Sequence, residues 1–238
     1  MIKIPSDIQI LLKKINDNLN PESIFLYGSM ARTDWVKDSD YEVGILYLPN
    51  KKISRSELKK INPINKLRLY PFNYDEFLTN DLDTPFPKVV YMWGLISNSK
   101  TLYGKKVVEN LKLPDITVVD LLEEATFQLS RAYSAILSER ENDLVNVQAG
   151  FSKSTLYSAR VLLLLENNEF PIEYDQIIKK SLNLHLDEEY KLLIKHAYDV
   201  RLGATLDLRM LYKNISFINK VVIKKIKDRL KNGNSIVL

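Results

Sequence analysis

Between residues 120 and 230 the apolar side chains recur at helical spacing and strand signals are nearly absent. Segments 120–138, 152–167, 174–182, 188–200 and 218–230 each carry that spacing, and 168–171 reads as a turn between two of them. Amphipathic helices in such number must bury their apolar stripes against one another, so a helical bundle is expected here. Upstream of Leu113-Pro114 the pattern differs. Residues 6–19 read as a helix, with Ser6 as its N-cap and Ile8, Leu11, Leu12 and Ile15 on one face. Asn20-Pro21 ends that helix, and a short apolar strand over 23–27 is closed by Gly28-Ser29. A second strand spans 41–48 and stops at Pro49-Asn50; a polar, lysine-rich segment follows, then a third strand over 66–70 ending before Pro71. Helical patterns return near 75–78 and over 87–95. The expected architecture is therefore α+β: an α/β domain with a small mixed sheet over 1–113, followed by a helical bundle over 114–238.

Composition narrows the chemistry. The 238 residues are 45% hydrophobic and 27% charged, an ordinary balance for a globular protein. A net charge of +4 suits a small anionic substrate and is too weak to argue for nucleic acid as a partner. The chain has no cysteine and two histidines, His185 and His196. Thiolate and histidine-rich zinc centres are excluded, and any metal must sit on oxygen ligands, as magnesium, manganese and calcium do. The first residues lack a signal-peptide core, and the longest aliphatic run, 161–165, is far short of a membrane span. A cytoplasmic protein without a membrane partner is expected.

One constellation carries chemistry. Gly28-Ser29 lies where a strand ends and a helix is predicted to begin. Glycine lets a phosphate approach the backbone, free amides at a helix start favour an anion, and the serine hydroxyl adds a donor. Eleven residues after Gly28 begins Ser39-Asp40-Tyr41-Glu42. In a strand, Asp40 and Glu42 leave the same face, with Val43, Ile45 and Tyr47 opposite as core. Two carboxylates held side by side repel unless a cation sits between them, and magnesium takes one or two carboxylates plus phosphate oxygens. An isolated Asp-x-Glu reads better as an exposed acidic edge; with Gly28-Ser29 just upstream, the metal–triphosphate reading prevails.

Gly28-Ser29-x-x-Arg32 followed by Ser39-Asp40-x-Glu42 resembles the signature of the DNA polymerase β-like nucleotidyltransferases. The Asp-x-Glu form, the helical C-terminal half and the chain length are most similar to kanamycin nucleotidyltransferase-like proteins, as is the segment Ser158-Ala-Arg160-Val-Leu-Leu-Leu-Leu-Glu166. The resemblance implies transfer of a nucleoside monophosphate from a triphosphate, ATP or another, to a hydroxyl of a small, aminoglycoside-like acceptor. It implies that Asp40 and Glu42 hold one or two magnesium ions and that Gly28, Ser29 and Ser39 serve the nucleotide. Arg32 either adds charge near the triphosphate or is a surface arginine. The resemblance further implies a homodimer.

Two positions depart from the pattern. Many members carry a third carboxylate on the next strand, where this chain aligns Arg68. An arginine neither binds a metal nor accepts a proton, but it can pair with a triphosphate or with Asp40. The general base that the resemblance draws from the first C-terminal helix is assigned to Glu124, with Glu123 as runner-up and Asp120 on the same segment. Glu124, Gln128 and Arg131 fall on one polar face opposite Leu122, Ala125, Leu129 and Ala132, which also reads as a solvated helix face. Asp75 and Glu76 are further acids near the third strand, and Trp35 in the loop before Asp40 either stacks on a base or packs on its own domain. The competing function is a regulatory or antitoxin-like nucleotide-binding module acting on a protein partner.

Overall fold

A computed structural model describes residues 4–37, 39–79 and 81–233. The chain divides into two compact units, Met1–Pro114 and Asp115–Leu238.

The first unit is built on a four-stranded mixed sheet. Its strands are β1 (Ser23–Tyr27), β2 (Tyr41–Tyr47), β3 (Leu67–Asn73) and β4 (Lys100–Gly104), in the order β3-β2-β1-β4. β1 pairs antiparallel with β2 and β4, while β2 and β3 run parallel. All five residues of β1 are buried, as the continuous apolar run of a central strand requires. One sheet face packs Ile24, Leu26, Val43, Ile45, Leu67 and Leu69 against Ile8, Leu12 and Ile15 of α1 (Ser6–Leu19). The other packs Phe25, Tyr27, Leu46 and Phe72 against Phe77 of α3 (Tyr74–Thr79) and Met92, Leu95 and Ile96 of α4 (Lys88–Asn98).

Several boundaries differ from expectation, each for a physical reason. Pro5 rather than Ser6 is the N-cap of α1, and no side chain caps that helix. β3 continues through Pro71, because it is an edge strand and a missing N–H there costs no ladder bond. The lysine-rich segment contains a helix, α2 (Arg55–Ile61), started by a capping box between Ser54 and Glu57. β4 has only half-buried or exposed side chains, so it lacks an apolar signature; it pairs with β1 by backbone bonds.

The second unit is helical: α5 (Val118–Arg140), α6 (Leu144–Asn167), α7 (Tyr174–Ser181), α8 (Glu188–Arg201), α9 (Arg209–Phe217) and α10 (Lys224–Lys231). A π-helical segment, Ile218–Ile223, joins α9 and α10 into one run. α6 begins eight residues before the expected start at 152 and is the central helix. Its residues Leu162, Leu163 and Leu164 are fully buried, about 1.5–3 kcal/mol each. Gly150 permits close approach to α5, since a Cβ there would stand 3.0 Å from the Ala135 Cβ. The polar face predicted for α5 is interior: Glu124 and Gln128 are buried, while Leu122 and Leu129 are partly exposed.

Candidate functional site

Strand register assembles the site. Glu42 stands opposite Tyr27 on β1 and opposite Arg68 on β3, so Tyr27, Glu42 and Arg68 form a row across three strands. Phe25, Gly44 and Tyr70 form the next row, where the Phe25 ring covers Gly44 so closely that any Cβ would overlap it. The carboxylate of Glu42 thus lies at the rim of an aromatic layer.

Gly28 closes β1 with φ 72° and ψ −159°, a backbone state that favours glycine. A Cβ at Gly28 would overlap Oε2 of Glu42. The chain turn and the acid are therefore fitted to each other, and the approach needs hydrogen at that position. The turn after Gly28 is a single 3₁₀ turn, Ser29–Ala31, rather than the expected helix. Asp40 lies one residue before β2, not within it, but remains two residues from Glu42.

Arg68 donates from Nε to Oδ2 of Asp40 at 3.2 Å. Their side chains are 51% and 38% exposed, and such a surface pair contributes about 0–1 kcal/mol. Asp40 is thus held lightly. Arg55, at the start of α2, sits 5.0 Å from the centroid of the Tyr70 ring. Burial, foremost, and the nearby Glu42 carboxylate both raise the Tyr27, Tyr70 and Tyr91 hydroxyls. Arg55 and Arg68 act the other way on Tyr70, and a hydrogen bond joins Tyr27 to Tyr91. The three phenols stay protonated beside the acid.

Gly28 and Glu42 are thereby brought together, with Ser29 next in the chain and Asp40 tied to Arg68, the strand neighbour of Glu42. Arg32 and Ser39 serve the connecting loop: Nε of Arg32 donates to Asp34 at 2.8 Å with both side chains nearly buried, and Ser39 Oγ accepts from the Val36 amide at 3.0 Å. Both line an open cavity of ≈ 810 Å³ with Trp35, Lys37, Lys66 and Lys100, among whose lining residues neither Asp40 nor Glu42 occurs. Trp35 is 55% exposed rather than packed away.

Asp75 and Glu76 lie in the first turn of α3, Asp75 exposed and Glu76 partly so. Glu123 is exposed on α5. Glu124 is buried, accepts from Gln128 Nε2 at 2.9 Å and lies 3.8 Å from the Arg160 guanidinium. Burial raises its carboxyl above the ordinary range, against the opposing pull of Arg160, Gln128 and Arg131. Sequence reasoning missed Tyr27, Tyr70, Tyr91 and Arg55, because their convergence depends on register and on α2, neither of which periodicity reveals.

Asp40 and Glu42 could hold a hard divalent ion that completes its coordination elsewhere. Two carboxylates two residues apart match magnesium's usual protein share, and phosphate oxygens would supply the rest of its coordination. Among the described residues no group of three or more His, Cys, Asp or Glu converges to hold an ion on protein ligands alone.

No family model and no curated protein matches the chain. A solved structure does: spectinomycin adenyltransferase AAD(9) from Enterococcus faecialis, with ATP and spectinomycin. The TM-score is 0.59 at 15% sequence identity, covering 94% of this chain and 100% of that one. The chain therefore shares the α+β fold of that adenyltransferase, a mixed four-stranded sheet with helices followed by a helical region.

Proposed function

We propose that the chain is a magnesium-dependent nucleotidyltransferase that moves a nucleoside monophosphate, from ATP in the first instance, to a hydroxyl of a small polar acceptor. The single observation that carries this reading is the fit of Glu42 against a side-chain-free Gly28 beside Asp40. Support comes also from the fold it shares with an adenyltransferase solved with ATP and spectinomycin. An aminoglycoside-like acceptor is the corresponding proposal for the second substrate.

In this reading Asp40 and Glu42 hold magnesium, which neutralises phosphate charge and orients the triphosphate. Gly28 lets the Glu42 carboxylate close against the turn, and Ser29 donates to the phosphate oxygens. A carboxylate takes the proton of the acceptor hydroxyl, and Glu124 is the candidate that the resemblance supplies. The acceptor oxygen bonds to the α-phosphorus, the bond to the bridging oxygen breaks, and pyrophosphate leaves. A second reading, a nucleotide-binding module with little turnover, is favoured by one observation: a guanidinium, not an acid, neighbours Asp40 on β3.

Thermal shift with ATP tests the site. Stabilisation by ATP that requires magnesium and vanishes in Asp40→Asn is expected; no response to any triphosphate overturns both readings. Pyrophosphate release with a panel of hydroxylated acceptors then separates transferase from binder.

A further inference from the structure

The guanidinium beside the acids has a consequence for how many metal ions the site takes. Arg68 is the cross-strand neighbour of Glu42 in the parallel β2–β3 pair, and its Nε lies 3.2 Å from Asp40 Oδ2. It therefore stands on the strand beside both acids, in the cross-strand position where a third carboxylate would add oxygen ligands for a second ion. A guanidinium supplies none. The charges point the same way: two carboxylates and one guanidinium sum to −1, where three carboxylates would sum to −3, so the site attracts a second cation less strongly than an all-acid one would. Arg68 engages Asp40 through Nε alone, which leaves the terminal Nη groups of its planar fork for a phosphate, the anion that geometry suits. The side chain is half exposed and its pairing weak, so it yields readily to an incoming ligand.

We propose that this site works with a single divalent cation and that the Arg68 guanidinium supplies the second positive charge on the triphosphate. The proposal rests on the nucleotide-binding reading above. With one ion on Asp40 and Glu42, Arg68 contacts a phosphate oxygen from the β3 side, while Arg55, stacked on Tyr70, adds positive charge nearby. The same residue has opposite effects in two states: it competes with metal for Asp40 in the free protein and helps hold the nucleotide in the complex.

The test uses the full chain, manganese as a paramagnetic probe and a non-hydrolysable α,β-methylene analogue of ATP. Electron paramagnetic resonance counts bound manganese at saturating analogue. One ion per chain is expected for the unsubstituted protein, and two for Arg68→Asp, which replaces the cation with a ligand. For Arg68→Gln, analogue affinity in the presence of metal falls at least about tenfold, as for loss of a charged hydrogen bond. Manganese affinity without nucleotide rises instead, because Asp40 is released. A purely structural arginine would move both affinities in the same direction. Two manganese ions in the unsubstituted complex, or unchanged analogue affinity in Arg68→Gln, overturns the proposal while leaving the nucleotide reading intact. Failure of every variant, and of the unsubstituted chain, to bind the analogue overturns the nucleotide reading and this proposal with it.

Discussion

At Gly28 two constraints coincide, and they can be separated. Its φ of 72° with ψ −159° lies in a region essentially reserved for glycine, at about 1–3 kcal/mol for any other residue. Independently, a Cβ there would displace the Glu42 carboxylate. Gly203, with φ 107° and nothing within 4 Å of an added Cβ, carries the backbone constraint alone. Gly28→Ala should therefore lower the melting midpoint and abolish the magnesium-dependent response to ATP. Gly203→Ala should lower the midpoint while keeping that response, roughly 2–4 °C being lost for each kcal/mol in a chain of this size. Thermal melts with and without ATP and magnesium check both; an intact ATP response in Gly28→Ala would show that the site does not need this close approach. The aromatic residues around Glu42 add a different control. Tyr27, Tyr70 and Tyr91 are kept protonated chiefly by burial, so they add no negative charge beside the acid.

Helix α5 carries the proposed base and depends on its first turn. Thr117 accepts from the Asp120 amide at 3.3 Å, and Asp120 accepts from the Thr117 amide at 2.7 Å, a reciprocal cap on two orphan N–H groups. Thr117→Ala should cost about 1 kcal/mol in chemical denaturation without changing the helical content seen by circular dichroism. A loss below the error of the measurement would mean that packing alone fixes the start of α5. Such caps also show what the sequence does and does not disclose about elements. The Ser54-x-x-Glu57 signal was present before α2 but hidden among lysines, whereas Gly28-Ser29 and Asp40-x-Glu42 were legible because each side chain has a chemical reason for its spacing. β4 was illegible, since a strand held by backbone bonds needs no apolar alternation. Pro71 misled because a proline interrupts a central strand but not an edge, and strand order is a property of the fold. The inward turn of Glu124 was equally invisible: a polar helix face looks the same whether water or Arg160 meets it.

Over the whole molecule, Glu124 links stability to pH with a sign that distinguishes its possible roles. Burial raises its carboxyl in the folded chain more than Arg160, Gln128 and Arg131 lower it. The folded protein thus holds this proton more tightly than the unfolded chain. Its stabilising contribution is complete below the unfolded carboxyl value of about 4.3. That contribution is lost as pH rises through the higher folded value. Glu124→Gln keeps the shape and the amide-compatible hydrogen bond to Gln128 but removes the titration. The variant should melt close to the parent at pH 4 and several degrees above it at pH 8. A buried acid that weakens the fold at neutral pH is consistent with a role in proton transfer, because such strain is characteristic of functional groups. Transferase turnover should therefore fall in the same variant whose melting midpoint rises. If Glu124→Gln instead melts lower at pH 8, the carboxylate's attraction to Arg160 outweighs its burial, and the residue is an internal ion-pair partner whose loss strands a buried guanidinium.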